Sequence, residues 1–248
     1  MNKTKIEWVK NPDKTQGYSL NPVKGKCPMA CPYCYARAMY DRFRWNPEPC
    51  LEEDVLNNEL RVLYGAKEPL GIFMCSTFEW LWNERWAWRI LQFCAKHHRH
   101  RFYLLTKQPQ KLPQFSPFPD NCWVGVTAVN PSMLRNAIFH LSKIEASVKY
   151  VSMEPLLEDM RGYDKNEPEV SEVAYDLSLN IINWLIIGAQ TRPTVYPRIE
   201  WVEEIVRAAD KANIPVFLKN NLYPLLGLAN GKSICHNNEV GTLRQEMP

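Results

Sequence analysis

The 248-residue sequence predicts an α/β fold built on parallel strands, and three observations carry the prediction. Short, near-continuous apolar runs recur along the chain, as strands covered on both faces require. Helical patterns separate them, and this alternation implies crossover connections and a parallel sheet. Polar residues follow directly on the apolar runs, where βα folds gather their working side chains. Seven strands with intervening helices favour a TIM-like or partial barrel over a Rossmann sheet, although periodicity alone leaves both open.

Residues 17–21 read as the first strand and lead into a cysteine-rich loop. Residues 71–76, 101–106, 122–127, 149–153, 183–188 and 215–218 read as the buried strands that follow. Residues 51–64 show helical spacing at Leu51, Val55, Leu56, Leu60 and Leu63, and 82–97, 131–142 and 200–212 read the same way. Asn130 is placed to cap the 131–142 helix, with Pro131 in its first turn. Residues 107–121 carry four prolines and predict a surface loop with a short helix; 159–171 form a charged insertion and the expected mobile loop. The chain reads as one domain, 1–248, whose residues 220–248 are an irregular C-terminal tail.

Composition is that of an ordinary globular protein, and a net charge of +3 is too mild to argue nucleic-acid binding by itself. Nine Trp and eleven Tyr imply a bulky core or a stacking surface. No apolar run reaches a membrane span and the polar N-terminus is no signal peptide, so a cytoplasmic protein is expected. Eight cysteines in that setting point to reduced thiols and a metal site, not a disulfide scaffold.

The decisive motif is Cys27-Pro-Met-Ala-Cys31-Pro-Tyr-Cys34, a C-x3-C-x2-C cluster directly after the first strand. Three thiolates can hold three irons of a four-iron, four-sulfur (4Fe-4S) cluster and leave the fourth free for a substrate. S-adenosyl-L-methionine (SAM) can chelate that iron through its amino and carboxylate groups. The competing readings are weaker. A structural zinc site wants four ligands, which here would need a histidine from 96–101 or His236. Unrelated core cysteines would not bunch in one proline-flanked loop, and an electron-carrying cluster wants a fourth cysteine.

The loop resembles the signature of the radical SAM superfamily, in which an aromatic commonly precedes the third cysteine, as Tyr33 does. That resemblance implies a partial (βα)6 TIM-like barrel, parallel strands, and a cluster loop after strand one. It also implies a SAM cofactor and an external one-electron donor of flavodoxin or ferredoxin type. A narrower resemblance rests on Thr4-Lys-Ile-Glu-Trp8, Asn21-Pro-Val, Leu105-Thr-Lys107, Trp123-Val-Gly-Val126, Val151-Ser-Met-Glu-Pro-Leu156 and Phe217-Leu-Lys219. In that order they are similar to a phage- and prokaryote-associated radical SAM-like family of unassigned function. Many members space the first two cysteines further apart, and often show Gly-Gly-Glu-Ser where this chain has Gly188-Ala-Gln190-Thr191.

The strand ends supply Cys75, Ser76, Thr77 and Glu79, then Thr106 and Lys107, then Thr127, Glu154, Gln190 and Lys219. By the superfamily resemblance Ser76 and Thr77, aided by Glu79, would meet the methionyl amine. Thr127 and Glu154 would take ribose and carboxylate, backbone at Ile187 and Gly188 would lie against adenine, and Lys107 and Lys219 would serve a carboxylate or anionic substrate. Cys75 is a candidate hydrogen donor to a substrate radical. The expected reaction is reductive SAM cleavage to a 5′-deoxyadenosyl radical that modifies a substrate, with a nucleic acid or nucleotide preferred to a peptide or metabolite. The basic run 96–101 reads as a solvated helix terminus, and Trp82 and Trp86 read as one packed helical face. Gly231-Lys232-Ser233 is no P-loop, since the earlier glycine position holds Leu226.

Overall fold

The computed structural model describes residues 1–161, 171–226, 234–236 and 242–248. The core of the expected mobile loop and the Gly231–Ser233 tripeptide lie outside the described residues. Eight strands form one mostly parallel sheet: β1 (Asn2–Lys3), β2 (Tyr18–Leu20), β3 (Gly71–Met74), β4 (Arg101–Thr106), β5 (Cys122–Thr127), β6 (Val148–Met153), β7 (Trp184–Ile187) and β8 (Val216–Leu218). Strand order in the sheet follows chain order. A Rossmann sheet reverses direction at its first strand, so this order selects the TIM-like alternative that periodicity left open. Among the described residues seven α-helices accompany the strands: α1 (Tyr35–Phe43), α2 (Glu53–Gly65), α3 (Glu84–Lys96), α4 (Pro131–Leu141), α5 (Glu172–Ser178), α6 (Ile199–Lys211) and the short α7 (Tyr223–Leu226).

The chain divides into two compact units, residues 1–125 with 144–147, and 126–143 with 148–248. In the first, β2 pairs parallel to β3 and β3 to β4. Trp8 is fully buried there, its ring 4.9 Å from Phe73 and 5.7 Å from Tyr103. α3 buries Ala87, Ile90, Leu91, Phe93 and Cys94, and Asn83 caps it by accepting a bond from the Trp86 amide. In the second unit β6, β7 and β8 pair in parallel. Trp184 lies between Tyr150 and Phe217, and its indole N–H donates to the Glu246 carbonyl. Asn130 caps α4 as predicted, with its side chain 2.9 Å from the Met133 amide.

Several details depart from expectation. β1 adds an antiparallel edge that two residues are too short to signal. α1 was not predicted because Ala36 is its only buried residue, so no apolar stripe marks it. Residues 107–121 hold the expected short helix, a 3-10 helix at Pro109–Phe115, but it is not purely superficial: it buries Pro109, Leu112 and Phe115, with Phe118 buried beyond. Their spacing of three is the period of that helix. The run 96–101 is only partly solvated, since His97 and His100 are buried and His100 accepts a bond from the Leu70 amide. Trp82 precedes α3 and is exposed, so it shares no helical face with Trp86. Among the described residues no helix is long and apolar enough to cross a membrane.

Candidate functional site

In the first unit the cysteine loop leaves β2 and enters α1. Two successive turns shape it, the Ala30 amide bonding to the Cys27 carbonyl and the Cys34 amide to the Cys31 carbonyl. Ala30 takes a positive φ of 49°, and Arg37 reaches back to donate to the Cys27 carbonyl at 2.7 Å. Cys34 is the N-cap of α1 but makes no capping bond with its side chain. All three thiols are half-buried and free, and they line one pocket with Met29, Cys75, Ser76, Thr77, Glu79 and Lys107. Burial pushes the Cys27 thiol up, and burial together with the neighbouring Cys31 and Cys34 does the same to Tyr33.

The loop after β3 forms the rest of this pocket. The Cys75 amide bonds to the Leu20 carbonyl, and the Ser76 hydroxyl donates to Asn21 Oδ1 at 3.0 Å. Cys75 is fully buried with φ at 56°, and burial pushes its thiol to about 12. Thr77 is half-buried. Glu79 is 5% exposed, yet its carboxylate is fully engaged. Thr106 Oγ1 donates to it at 2.6 Å, and the Lys107 and Leu81 amides at 2.8 and 3.2 Å. Desolvation raises the Glu79 pKa against those bonds, which lower it. The buried carboxylate thereby ties the β3 and β4 ends together. His97, His98 and His100 line a separate cavity with Leu63 and Tyr64.

The second unit gathers another set of predicted residues. Glu154 and Lys219 form an ion pair, the lysine side chain only 10% exposed. Gly188 passes directly over them: a Cβ there would stand 3.0 Å from Lys219 Cδ and 3.1 Å from Glu154 Cγ. The Ile187 carbonyl accepts from the Lys219 amide, and Gly188 bonds to Met153 and Leu156 through its own amide and carbonyl. Thr127 is buried at the end of β5. Gln190 is half-buried and donates to the Pro193 carbonyl within its own two-residue ladder. Sequence reading placed Glu154 and Lys219 on a ligand separately and did not foresee their pairing, which needs two distant segments. Gly188→Ala is expected to wedge the pair apart and lower stability by about 1–2 kcal/mol, read from the denaturation midpoint. An unchanged midpoint would show that the pair yields freely.

Among the described residues no three His, Cys, Asp or Glu side chains converge to hold a single metal ion. A groove of about 880 Å³ elsewhere in the first unit, lined by Leu51, Glu53, Arg85, Trp86, Trp88 and Arg89, contains no thiol.

Two solved structures of spore photoproduct lyase share this fold. One is a variant with bound AdoMet and dinucleoside spore photoproduct, with a TM-score of 0.54 and 11% identity over 81% of this chain and 75% of that chain. The other is complexed with dinucleoside spore photoproduct, with a TM-score of 0.53 and 10% identity over the same shares. The likeness shows that this chain shares the fold of that lyase. No curated protein sequence matches the chain. Residues 3–223 match a family described as "Protein of unknown function (DUF5131)". With most of its length covered by that match, the chain belongs to the DUF5131 family.

Proposed function

We propose that this protein is a radical SAM enzyme whose Cys27, Cys31 and Cys34 hold a 4Fe-4S cluster. The observation that carries the reading is the shared pocket, which the three free thiols line together. A cuboidal cluster would take one thiolate on each of three irons, whereas a structural zinc wants four ligands and the loop offers three cysteines. When bound, such a cluster with SAM on its open iron supplies one-electron cleavage of the sulfonium and a 5′-deoxyadenosyl radical.

The chain's own groups divide the remaining tasks. Arg37 and the two backbone turns fix the loop that presents the thiols. Ser76, oriented by Asn21, and Thr77 offer acceptors to the ammonium of a bound amino acid. Lys107, on the same pocket wall, offers a cation to its carboxylate. Thr127, Glu154, Gln190, Lys219 and the backbone at Ile187 and Gly188 remain candidates for the ribose, the adenine or an anionic substrate. Their position at the ends of β5, β6, β7 and β8 supports that assignment. Cys75 keeps its proton in this buried setting, so its S–H is the form that can give hydrogen to a carbon radical. The donation would form a C–H bond and leave a thiyl radical, which an external one-electron donor and a proton return to thiol. The substrate favoured is a nucleic acid or nucleotide, a class consistent with the dinucleoside bound by the similar lyase.

The test is anaerobic reconstitution of the full chain with iron and sulfide. About four irons per chain and release of 5′-deoxyadenosine from SAM on reduction are expected. One tightly held zinc, with no iron or sulfide taken up, would establish the rival non-catalytic zinc-binding module instead. Cys75→Ala is expected to leave 5′-deoxyadenosine release within about twofold while diverting the substrate radical to other products. Identical products from the variant would remove Cys75 from the mechanism.

A further inference from the structure

The cysteine loop belongs to a longer excursion, residues 23–51, that closes on itself. Val23 pairs with Leu51 and Lys24 with Cys50 at its base. Above them the Lys26 amide donates to the Pro47 carbonyl at 2.8 Å, and the Gly25 amide to the Tyr40 hydroxyl at 2.8 Å. The far end is solvent-facing. Arg42, Phe43, Arg44 and Trp45 are all exposed, the two aromatics by 51% and 48%.

This end is built, not frayed. The Phe43 and Trp45 rings lie 5.3 Å apart and within 23° of parallel, and Tyr40 supports Trp45 edge-on at 5.3 Å. Arg44 makes the turn between them possible by adopting φ 52°, its amide bonded to the Tyr40 carbonyl. The Arg42 guanidinium stands 5.3 Å from the Phe43 ring centroid. Asp41, the one acid of α1, is engaged by Lys26. Among the described residues neither Arg42 nor Arg44 has a carboxylate partner.

The excursion also carries an excess of basic side chains, of which Lys24 at its base pairs with Glu52 and Lys26 with Asp41, leaving Arg42 and Arg44 at the tip. Residues 24–48 carry five basic side chains (Lys24, Lys26, Arg37, Arg42 and Arg44) against two acidic ones, Asp41 and Glu48. That excess equals the +3 of the whole chain, so the remainder balances to zero. Overall charge is mild because it averages over the molecule. Locally it is not mild.

We propose that Arg42–Trp45 is a contact surface for single-stranded nucleic acid. Phe43 and Trp45 offer ring faces on which unpaired bases stack, and Arg42 and Arg44 meet the flanking phosphates. Paired bases already stack on one another and have no free face for the rings. A bilayer is the poorer match, because α1 lacks the broad apolar face that lies in a lipid interface. Binding at this surface does not require the cluster, so it goes beyond the proposed chemistry and is tested apart from it.

The experiment measures fluorescence anisotropy of labelled single-stranded DNA and RNA of mixed sequence, titrated with the 248-residue chain handled without oxygen. Phe43→Ala and Trp45→Ala are each expected to weaken binding by roughly tenfold. Arg42→Gln and Arg44→Asn, the latter tolerant of positive φ, should each flatten the log–log salt dependence by about 0.7. Trp45→Leu keeps apolar bulk against Tyr40 and should weaken binding as Trp45→Ala does, which separates stacking from loosening of the excursion. Phe139→Ala is the control: its ring is also exposed, with Lys143 3.6 Å above it, but it lies outside the basic segment and should bind like the unaltered protein. Absence of binding by the unaltered protein would overturn the proposal. So would variants that bind normally, equal affinity for duplex, or equal Trp45-dependent retention on anionic vesicles.

Discussion

Alanine at Cys27, Cys31 or Cys34 is expected to abolish iron binding and SAM cleavage together. Iron per chain should fall from about four to near zero, because in the proposed site each thiolate would serve a different iron and a cuboidal cluster with two anchors is readily lost. Release of 5′-deoxyadenosine should fall to that of a reaction without protein. Stability of the metal-free chain should change by less than about 0.5 kcal/mol, since all three side chains are half-exposed and free. That contrast separates ligation from a structural role. A single variant that keeps near-complete iron content and cleavage would sink the assignment.

The largest effect on folding is expected at Gly71, at the start of β3. A Cβ there would lie 2.0 Å from the Lys10 carbonyl oxygen and 2.6 Å from its carbon. Backbone on both sides prevents easy relief. The Gly71 amide is held by Asn11 Oδ1 at 2.8 Å, and the Lys10 carbonyl by the Tyr103 hydroxyl at 2.7 Å. Gly71→Ala is therefore expected to cost about 3 kcal/mol or more, at the upper end of overpacking penalties. The check is the urea midpoint of the purified variant against the parent. A loss below about 1 kcal/mol would mean that the N-terminal segment moves aside and does not anchor the strand.

The elements legible in the sequence were those whose burial imposes a pattern. β4 and β5 match their apolar runs end to end, and α4 starts at its predicted cap. α1 was not legible for the opposite reason, since its exposed rings and arginines mimic loop composition. The grouping of the three cysteines in one pocket was legible because their spacing is a local property. Their partners were not: Glu79 meets Thr106 and Lys107 only across neighbouring strands, and Ser76 meets Asn21 across another pair. Composition also hid a local excess, because +3 over the whole chain says nothing of where the charge lies.

β8 ends the strand order, and an unpartnered final strand would offer its amides to any passing chain. Residues 244–246 occupy that margin: the Leu218 amide donates to the Arg244 carbonyl, the Glu246 amide to the Val216 carbonyl, and Glu246 Oε2 takes the Val216 amide. Arg244 is in turn clamped by Asp210 and Glu246. This short selvedge, anchored by one arginine, shields the sheet from self-templated aggregation.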